Sequence, residues 1–535
     1  TRGPASRIMA NGNDGSGRAP VAIVRPTTTV TSGVGVTQKL VTAAVAFGDL
    51  MQGTFGPQGL DKMLYKTNGE TAVTNDGAKI VAELLVKHPA AKAFVQLADA
   101  QEQACGDGVT GCLLFASELM REAGRLLERG LHPLVCIEGF QLALNVAVDH
   151  LVAYQEPLGT DIERLTSVAR TSMTGTSADT GDDALASLIV EALQTVKSSE
   201  GVDHEDVRMA KRTQGNLHDT RLVDGLVLDA ALTLDRLPRR LNAGTVLTLT
   251  CPLDQEDTVR ETEIEVERAE QWMAFIEAND ALLKKKIDAV LATGATAVFS
   301  AETIEPSIFH ALTDAGCFVL GGLERAGIED LARASGATMC DHLDDADASM
   351  LGAFTSLEIE TGEGLDGRRE RLCLRFGPQA GLVTLDVGGG DGAAVEETIR
   401  GLYDALRSTS LAMKSGQVVR GGGSFHMGAS LAVKEAAESQ AGRERLAMEA
   451  FARALENIPS TLAQNAGVDR LDTLLALRAA HRTGQKTAGI DATGTVSPIQ
   501  STWLPADTLH HALEAATETA CGLLRVDQVI SARGD

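Results

Sequence analysis

Between positions 56 and 111 the chain makes three turns from glycine and aspartate: Gly56-Pro57-Gln58-Gly59, Asn75-Asp76-Gly77, and Gly106-Asp107-Gly108-Val109-Thr110-Gly111. The first follows a helical pattern through Leu40, Ala43, Ala44 and Phe47 that stops at Gly53, and it leads into strand-like Met63-Leu64-Tyr65 and a hairpin at Asn68-Gly69. The second opens a helix with Asp76 near its start. The third lies between two long helical segments and runs directly into Leu113-Leu114-Phe115-Ala116. Glycine lets backbone N–H groups approach an anion closely, a helix start favours negative charge, and a flanking carboxylate can hold the counter-cation. Alone, the third turn also fits a plain helix connection with a solvated Asp. Together the three turns can aim donors and carboxylates at one spot, which suits a phosphate with its metal.

Such a site must sit in a large protein. At 535 residues the chain exceeds a single core, and domains of roughly 100–200 residues suggest about three. Aromatics make up only 3% against 44% hydrophobic residues, so the cores are expected to be Leu, Val, Ala and Ile, with little surface for stacking bases. A net charge of -25 argues against a nucleic-acid partner. Lys supplies 14 of 48 basic residues, which fits a saline cytoplasm or GC-rich codon usage alike. The eight cysteines form no CxxC pair and read as free thiols in a reducing compartment. With no apolar run of ~18 residues and no secretory segment, a cytoplasmic protein without a membrane partner is expected. Residues 1–32, rich in Gly, Pro, Ser and Thr, are expected to be a disordered tail.

The blocks Gly56-Pro57-Gln58-Gly59-Leu60-Asp61-Lys62-Met63-Leu64, Val73-Thr74-Asn75-Asp76-Gly77-Ala78, His88-Pro89-Ala90-Ala91-Lys92 and Gly106-Asp107-Gly108 resemble those of the group II chaperonins, the archaeal thermosome and its eukaryotic cytosolic relatives, in order and spacing. Leu131-His132-Pro133, Val168-Ala169-Arg170-Thr171-Ser172, Asn465-Ala466-Gly467-Val468-Asp469 and Leu523-Leu524-Arg525-Val526-Asp527 extend the likeness over nearly all of the chain after residue 35. The resemblance implies a multidomain α plus α/β fold. A mostly helical equatorial domain would combine 33–157 with 412–535, an α/β hinge domain 158–223 with 380–411, and an α/β apical domain would span 224–379. Its lid protrusion would be about 254–292. Short β-rich runs at Leu226-Val227-Leu228, Val246-Leu247-Thr248-Leu249, Ala297-Val298-Phe299 and Phe318-Val319-Leu320 agree with that texture. Trp272, Phe275, Ile276, Leu283, Ile287 and Val290 recur at helical spacing, which also fits an ordinary core helix. The preceding run 254–269 is strongly acidic, which would suit ring contacts better than binding of apolar clients.

The resemblance further implies an ATP-dependent chaperonin that encloses unfolded proteins in a stacked double ring of identical or paralogous subunits. ATP and Mg²⁺ would bind in the equatorial domain. Asp107 would hold Mg²⁺, and Asp404 with Asp76 would orient the attacking water. Gly56, Pro57, Gly59, Asn75, Gly77, Gly106, Gly108, Val109, Thr110, Gly421, Gly422 and Asp491 would contact the nucleotide. Several positions depart from the family. Val109 replaces a Thr, Thr176 stands for an expected Lys, Leu504 and Leu509 replace a Glu and a Lys, and His426 replaces a Glu. The second reading is therefore a ring subunit that no longer turns over ATP. A third is suggested by Leu385-Asp386-Val387-Gly388-Gly389-Gly390-Asp391-Gly392, which looks like the cofactor loop of an S-adenosylmethionine-dependent methyltransferase. That fold wants a further strand ending in an acidic residue some 20 positions on, and none is offered.

Overall fold

A computed structural model describes residues 30–530, except 33, 66–68, 70, 85–87, 199–200, 213–214, 231–236, 254–268, 365–366, 378–379 and 390–392. The tail through residue 29, the acidic run 254–268 and the terminal Arg533-Gly534-Asp535 lie outside the described residues. The expected tail runs to residue 32, whereas Val30–Ser32 is a strand, antiparallel to Gln528–Ile530. Its partner is at the other end of the chain, so no local pattern could announce it.

Helices Val34–Gln52, Pro89–Cys105, Val109–Glu128, Pro133–Tyr154, Ser424–Ser439, Glu444–Leu455 and Ala506–Leu524 bury a face each in one core, which joins residues 36–151 to 419–524. Two of them start alike. His88 and His132 accept the backbone N–H of Ala90 and Leu134 at 3.3 and 3.2 Å, and Pro89 and Pro133 fill the first helical position, where a missing donor goes unnoticed. Aromatic rings meet at its centre, where Phe115 and Phe140 both contact Phe451, at 5.3 and 6.0 Å. Among the described residues the 133–154 helix alone is long and apolar enough to cross a membrane. Its Ile137, Phe140, Ala143, Ala147 and Leu151 are buried in the shared helical core.

The middle of the chain builds two sheets. Six strands run in the order 318–320, 297–300, 240–249, 352–364, 367–375 and 226–230, the first three mutually parallel and the rest antiparallel. All four short β-rich runs of the sequence fall on these strands, while the long strands 352–364 and 367–375 were not among the runs singled out. In helix Ala269–Thr293 Val290 is buried and Leu283 and Ile287 half-buried against the sheet, Trp272, Met273 and Leu282 are exposed, and the side chains of Phe275 and Ile276 lie outside the described residues. A second sheet sets Val383–Val387 between parallel Val207–Lys211 and antiparallel Arg221–Val223.

This second sheet disposes of the methyltransferase loop. A Cβ on Gly388 would come within 2.2 Å of the Asn216 carbonyl, so glycine is required there by a close backbone approach within the fold. Asp386 is fully buried and bridges the sheets, accepting from Arg371 of the larger one and from Arg221 at 3.0 Å, which in turn reaches Glu360 at 2.7 Å.

Candidate functional site

The three turns meet, as their chemistry suggested, around a single cavity of about 690 Å³. Its walls come from the turns themselves, from residues 170–176, from helix Ala393–Ser415, from the Gly421-Gly422-Gly423 turn and from residues 490–513. Gly56, Pro57, Asn75, Asp76, Gly77, Gly106, Asp107, Gly108, Val109, Thr110, Asp404, Gly421, Gly422 and Asp491 all line it. Gly59 does not. It closes the first turn, donating to the Gly56 carbonyl at 2.9 Å, and any Cβ there would strike the Thr54 carbonyl at 2.3 Å.

Local structure explains each wall. Asp76 caps the helix Gly77–Glu83, accepting from Ala78 N at 2.9 Å, and a Cβ on Gly77 would meet Thr110 Oγ1 at 2.5 Å. The second turn is thereby pressed against the third. Gly106 and Gly108 have φ of 70° and 82°, conformations that favour glycine, and between them Asp107 accepts from Gly108 N at 2.5 Å. Asn465 donates to the Gln52 and Phe55 carbonyls at 2.9 and 2.7 Å and so pins the first turn from the far end of the chain. Ile490 N donates to the Gly422 carbonyl at 2.8 Å, which seats the 490–497 loop on the glycine turn. Asp491 spends its carboxylate on that loop, accepting from Thr493 Oγ1 at 2.6 Å, Thr495 N at 3.0 Å and Ser497 Oγ at 3.2 Å.

Asp404 lies mid-helix on Ala393–Ser415. No helix end offsets its charge. Burial, followed by the carboxylates of Glu102, Asp76 and Asp107, pushes its pKa well up, and Arg400 opposes them. Burial is also the main cause that raises Asp76, Asp107 and Glu102. Glu102, absent from the sequence reading, lies one helical turn before Gly106, whose N–H donates to its carbonyl at 2.9 Å. That i, i+4 spacing from the turn is the signal that could have revealed it.

Four carboxylates with raised pKa values make a costly arrangement when no cation is bound among them. Because their folded pKa exceeds the unfolded one, their contribution to stability is present at low pH and is lost as pH rises through the folded pKa. Asp404→Asn is therefore expected to raise the melting temperature of the nucleotide-free, metal-free protein at pH 7. The gain should shrink as pH falls toward the ordinary carboxylate value of 3.8 and vanish below it, where the carboxyl is protonated in both states. Thermal unfolding in EDTA across that range checks it, and an unchanged or lowered melting temperature at pH 7 would contradict it.

The residues present suit a nucleotide with a divalent cation. Among the described residues no group of three His, Cys, Asp or Glu side chains stands ready to hold a metal. Mg²⁺, however, usually takes one or two carboxylates and fills its other positions from phosphate and water. Gly106 and Gly108 present backbone to the cavity, and the hydroxyl of Thr508 is buried on its wall beside Cys105. The departures noted in the sequence all lie here too: Val109, Thr176, His426, Leu504 and Leu509 line the same cavity. His426 is pushed down to about 4 by burial, so it is neutral near pH 7.

Residues 47–534 match the TCP-1/cpn60 chaperonin family. The chain is 35% identical to a thermosome subunit beta from Archaeoglobus fulgidus over 96% of its own length and 95% of that protein's. It is 34% identical to thermosome subunit 1 of Haloferax volcanii, over 96% and 92% of the two chains, and 31% identical to thermosome subunit alpha of Thermoplasma acidophilum, over 97% and 95%. With glycine turns and acidic side chains gathered on one cavity and a match that spans almost its whole length, the chain belongs to the TCP-1/cpn60 chaperonin family, on its group II, thermosome side.

Proposed function

We propose that this protein is a subunit of a group II chaperonin ring that encloses unfolded polypeptides and uses ATP hydrolysis to drive closure. The observation that carries the reading is the convergence of Asp76, Asp107 and Asp404 with three glycine turns around one cavity. Asp107 would hold Mg²⁺, which supplies charge neutralisation at the phosphates. Asp404, assisted by Asp76, orients a water toward the γ-phosphorus. As its oxygen bonds to phosphorus, the bond to the β–γ bridging oxygen breaks, leaving ADP and phosphate, and a carboxylate accepts the water's proton. A raised pKa equips Asp404 to take that proton.

The domain reading follows the hydrophobic cores. Residues 36–151 with 419–524 form the nucleotide-binding equatorial part. Residues 169–207 with 383–406 share a core that serves as the hinge, and 226–382 form the apical part. Helix 393–415 spans hinge and cavity, so a ligand that binds two orientations of the hinge unequally shifts the open–closed equilibrium. Contacts to neighbouring subunits are supported by the Lys62–Tyr65 and Thr71–Thr74 hairpin, where Leu60, Met63 and Tyr65 are 76%, 73% and 78% exposed.

A second reading, a ring subunit without turnover, is favoured by Val109, Leu504 and Leu509, which present carbon where polar contacts were expected. Mg²⁺-dependent ATP hydrolysis by the purified assembly, measured across a range of salt, decides between them. Turnover that EDTA abolishes is the expected result. Absence of turnover at any salt with saturating ATP would leave the second reading.

A further inference from the structure

We propose that Arg400 is the cation that receives the terminal phosphate of the nucleotide. This assignment rests on the nucleotide reading of the cavity. A triphosphate entering past Asp76, Glu102, Asp107 and Asp404 brings more negative charge to a site already rich in it, so a protein cation beside the last phosphate is needed in addition to one divalent metal.

Three arginines line the cavity among the described residues. Arg170 is committed to Asp183 at 2.8 Å and to the Ser501 carbonyl at 3.0 Å. Arg420 is committed to Glu156 at 2.9 Å and the Ile499 carbonyl, and its guanidinium stacks 4.3 Å from the Trp503 ring centre. Arg400 is held loosely: its nearest carboxylates are Asp76 at 3.6 Å and Glu397 at 3.9 Å, both too long for hydrogen bonds. Glu397 is already engaged by Lys79 at 2.6 Å and by Thr74. The guanidinium of Arg400 is thus half-exposed, in the cavity, and lacks a close acceptor, while its charge is felt at Asp76, Glu102 and Asp404. A phosphate oxygen there would gain the planar two-pronged contact that arginine forms best.

Thr176 cannot do this work. Its hydroxyl donates to the Met173 carbonyl at 2.6 Å and accepts from Ala178 N at 3.2 Å, so it is consumed by its own turn. It does pack against Gly401, the next residue after Arg400, where a Cβ would approach Thr176 Oγ1 to 3.0 Å, and Thr176 and Arg400 line the same cavity. A lysine introduced at 176 would therefore deliver its ammonium to the same neighbourhood.

The test compares the β,γ-imido analogue of ATP with ADP, each with Mg²⁺, by calorimetry on the assembled wild-type, Arg400→Ala, Arg400→Lys, and Arg400→Ala with Thr176→Lys. Losing a charge-assisted contact to the terminal phosphate should weaken the triphosphate analogue by roughly 10–100-fold and ADP by a few-fold at most. Arg400→Lys should keep part of the affinity, and Thr176→Lys should restore part of what Arg400→Ala loses. Equal weakening of both nucleotides, or of neither, would overturn the assignment while leaving the nucleotide reading intact. If wild-type protein binds neither nucleotide, the nucleotide reading itself falls, and Arg400's role with it. Thermal unfolding of each variant without nucleotide separates these outcomes from misfolding.

Discussion

Replacing Asp404 with alanine is expected to remove ATP turnover while leaving the subunit folded and assembled. The side chain lies on the cavity wall, its pKa is raised by burial and by three neighbouring carboxylates, and the proposed mechanism gives it the proton of the attacking water. Loss of a positioned general base typically costs about 10²–10⁴-fold in rate. The fold does not depend on it: the apolar neighbours Leu402, Ala405 and Leu406 hold the helix in the core of residues 169–207 and 383–406, and removing a carboxylate from an acidic cluster relieves repulsion. Turnover at saturating ATP, with analogue binding measured alongside, tests the claim. A variant that binds nucleotide, assembles and turns over within tenfold of wild-type would take Asp404 out of its role.

Asp386→Ala should instead damage the fold. Asp386 is fully buried between Arg371, itself almost fully buried, and the part-exposed Arg221. Breaking a buried pair from one side typically costs about 3–5 kcal/mol, because the remaining charge stays desolvated. With Arg221 partly in water, about 3 kcal/mol is the expected loss. It should appear as an earlier unfolding transition in urea, smaller for Asp386→Asn, which keeps an acceptor in place. An unmoved first transition would mean that the two sheets are held together by their apolar contacts alone. The same residue led the sequence motif resembling a cofactor loop, so this stability measurement also bears on that decoy.

Much of the site was legible because its chemistry depends on residues with few alternatives. Gly106 and Gly108 must take positive φ, Asp76 must cap a helix, and such requirements leave local signatures. Glu102 left only its spacing of one helical turn before Gly106, and Arg400 left nothing, since a charged residue on a helix is ordinarily a solvated one and packing reveals which face meets a cavity. The longer strands 352–364 and 367–375 do carry a period-two pattern, in Leu357-Glu358-Ile359-Glu360 and Arg371-Leu372-Cys373-Leu374, which was passed over because so much of it is charged; the structure pairs Glu360 with Arg221 and Arg371 with Asp386. Asp491 lines the cavity but has a second occupation that the sequence did not announce. Its type and position suggested a ligand contact, but the carboxylate is taken up by its own loop.

By itself the sequence determined the family, the three turns, the helix starts at His88-Pro89 and His132-Pro133, and the set of acidic residues from which a phosphate site could be built. Those follow from local backbone and hydrogen-bonding requirements. Tertiary structure alone decided that residues hundreds of positions apart share the cavity, that Thr176 is saturated while Arg400 is loosely held, and that Asp386 locks two sheets. The reason is physical: burial and the pairing of charges depend on what the rest of the chain brings alongside, and no local pattern encodes it.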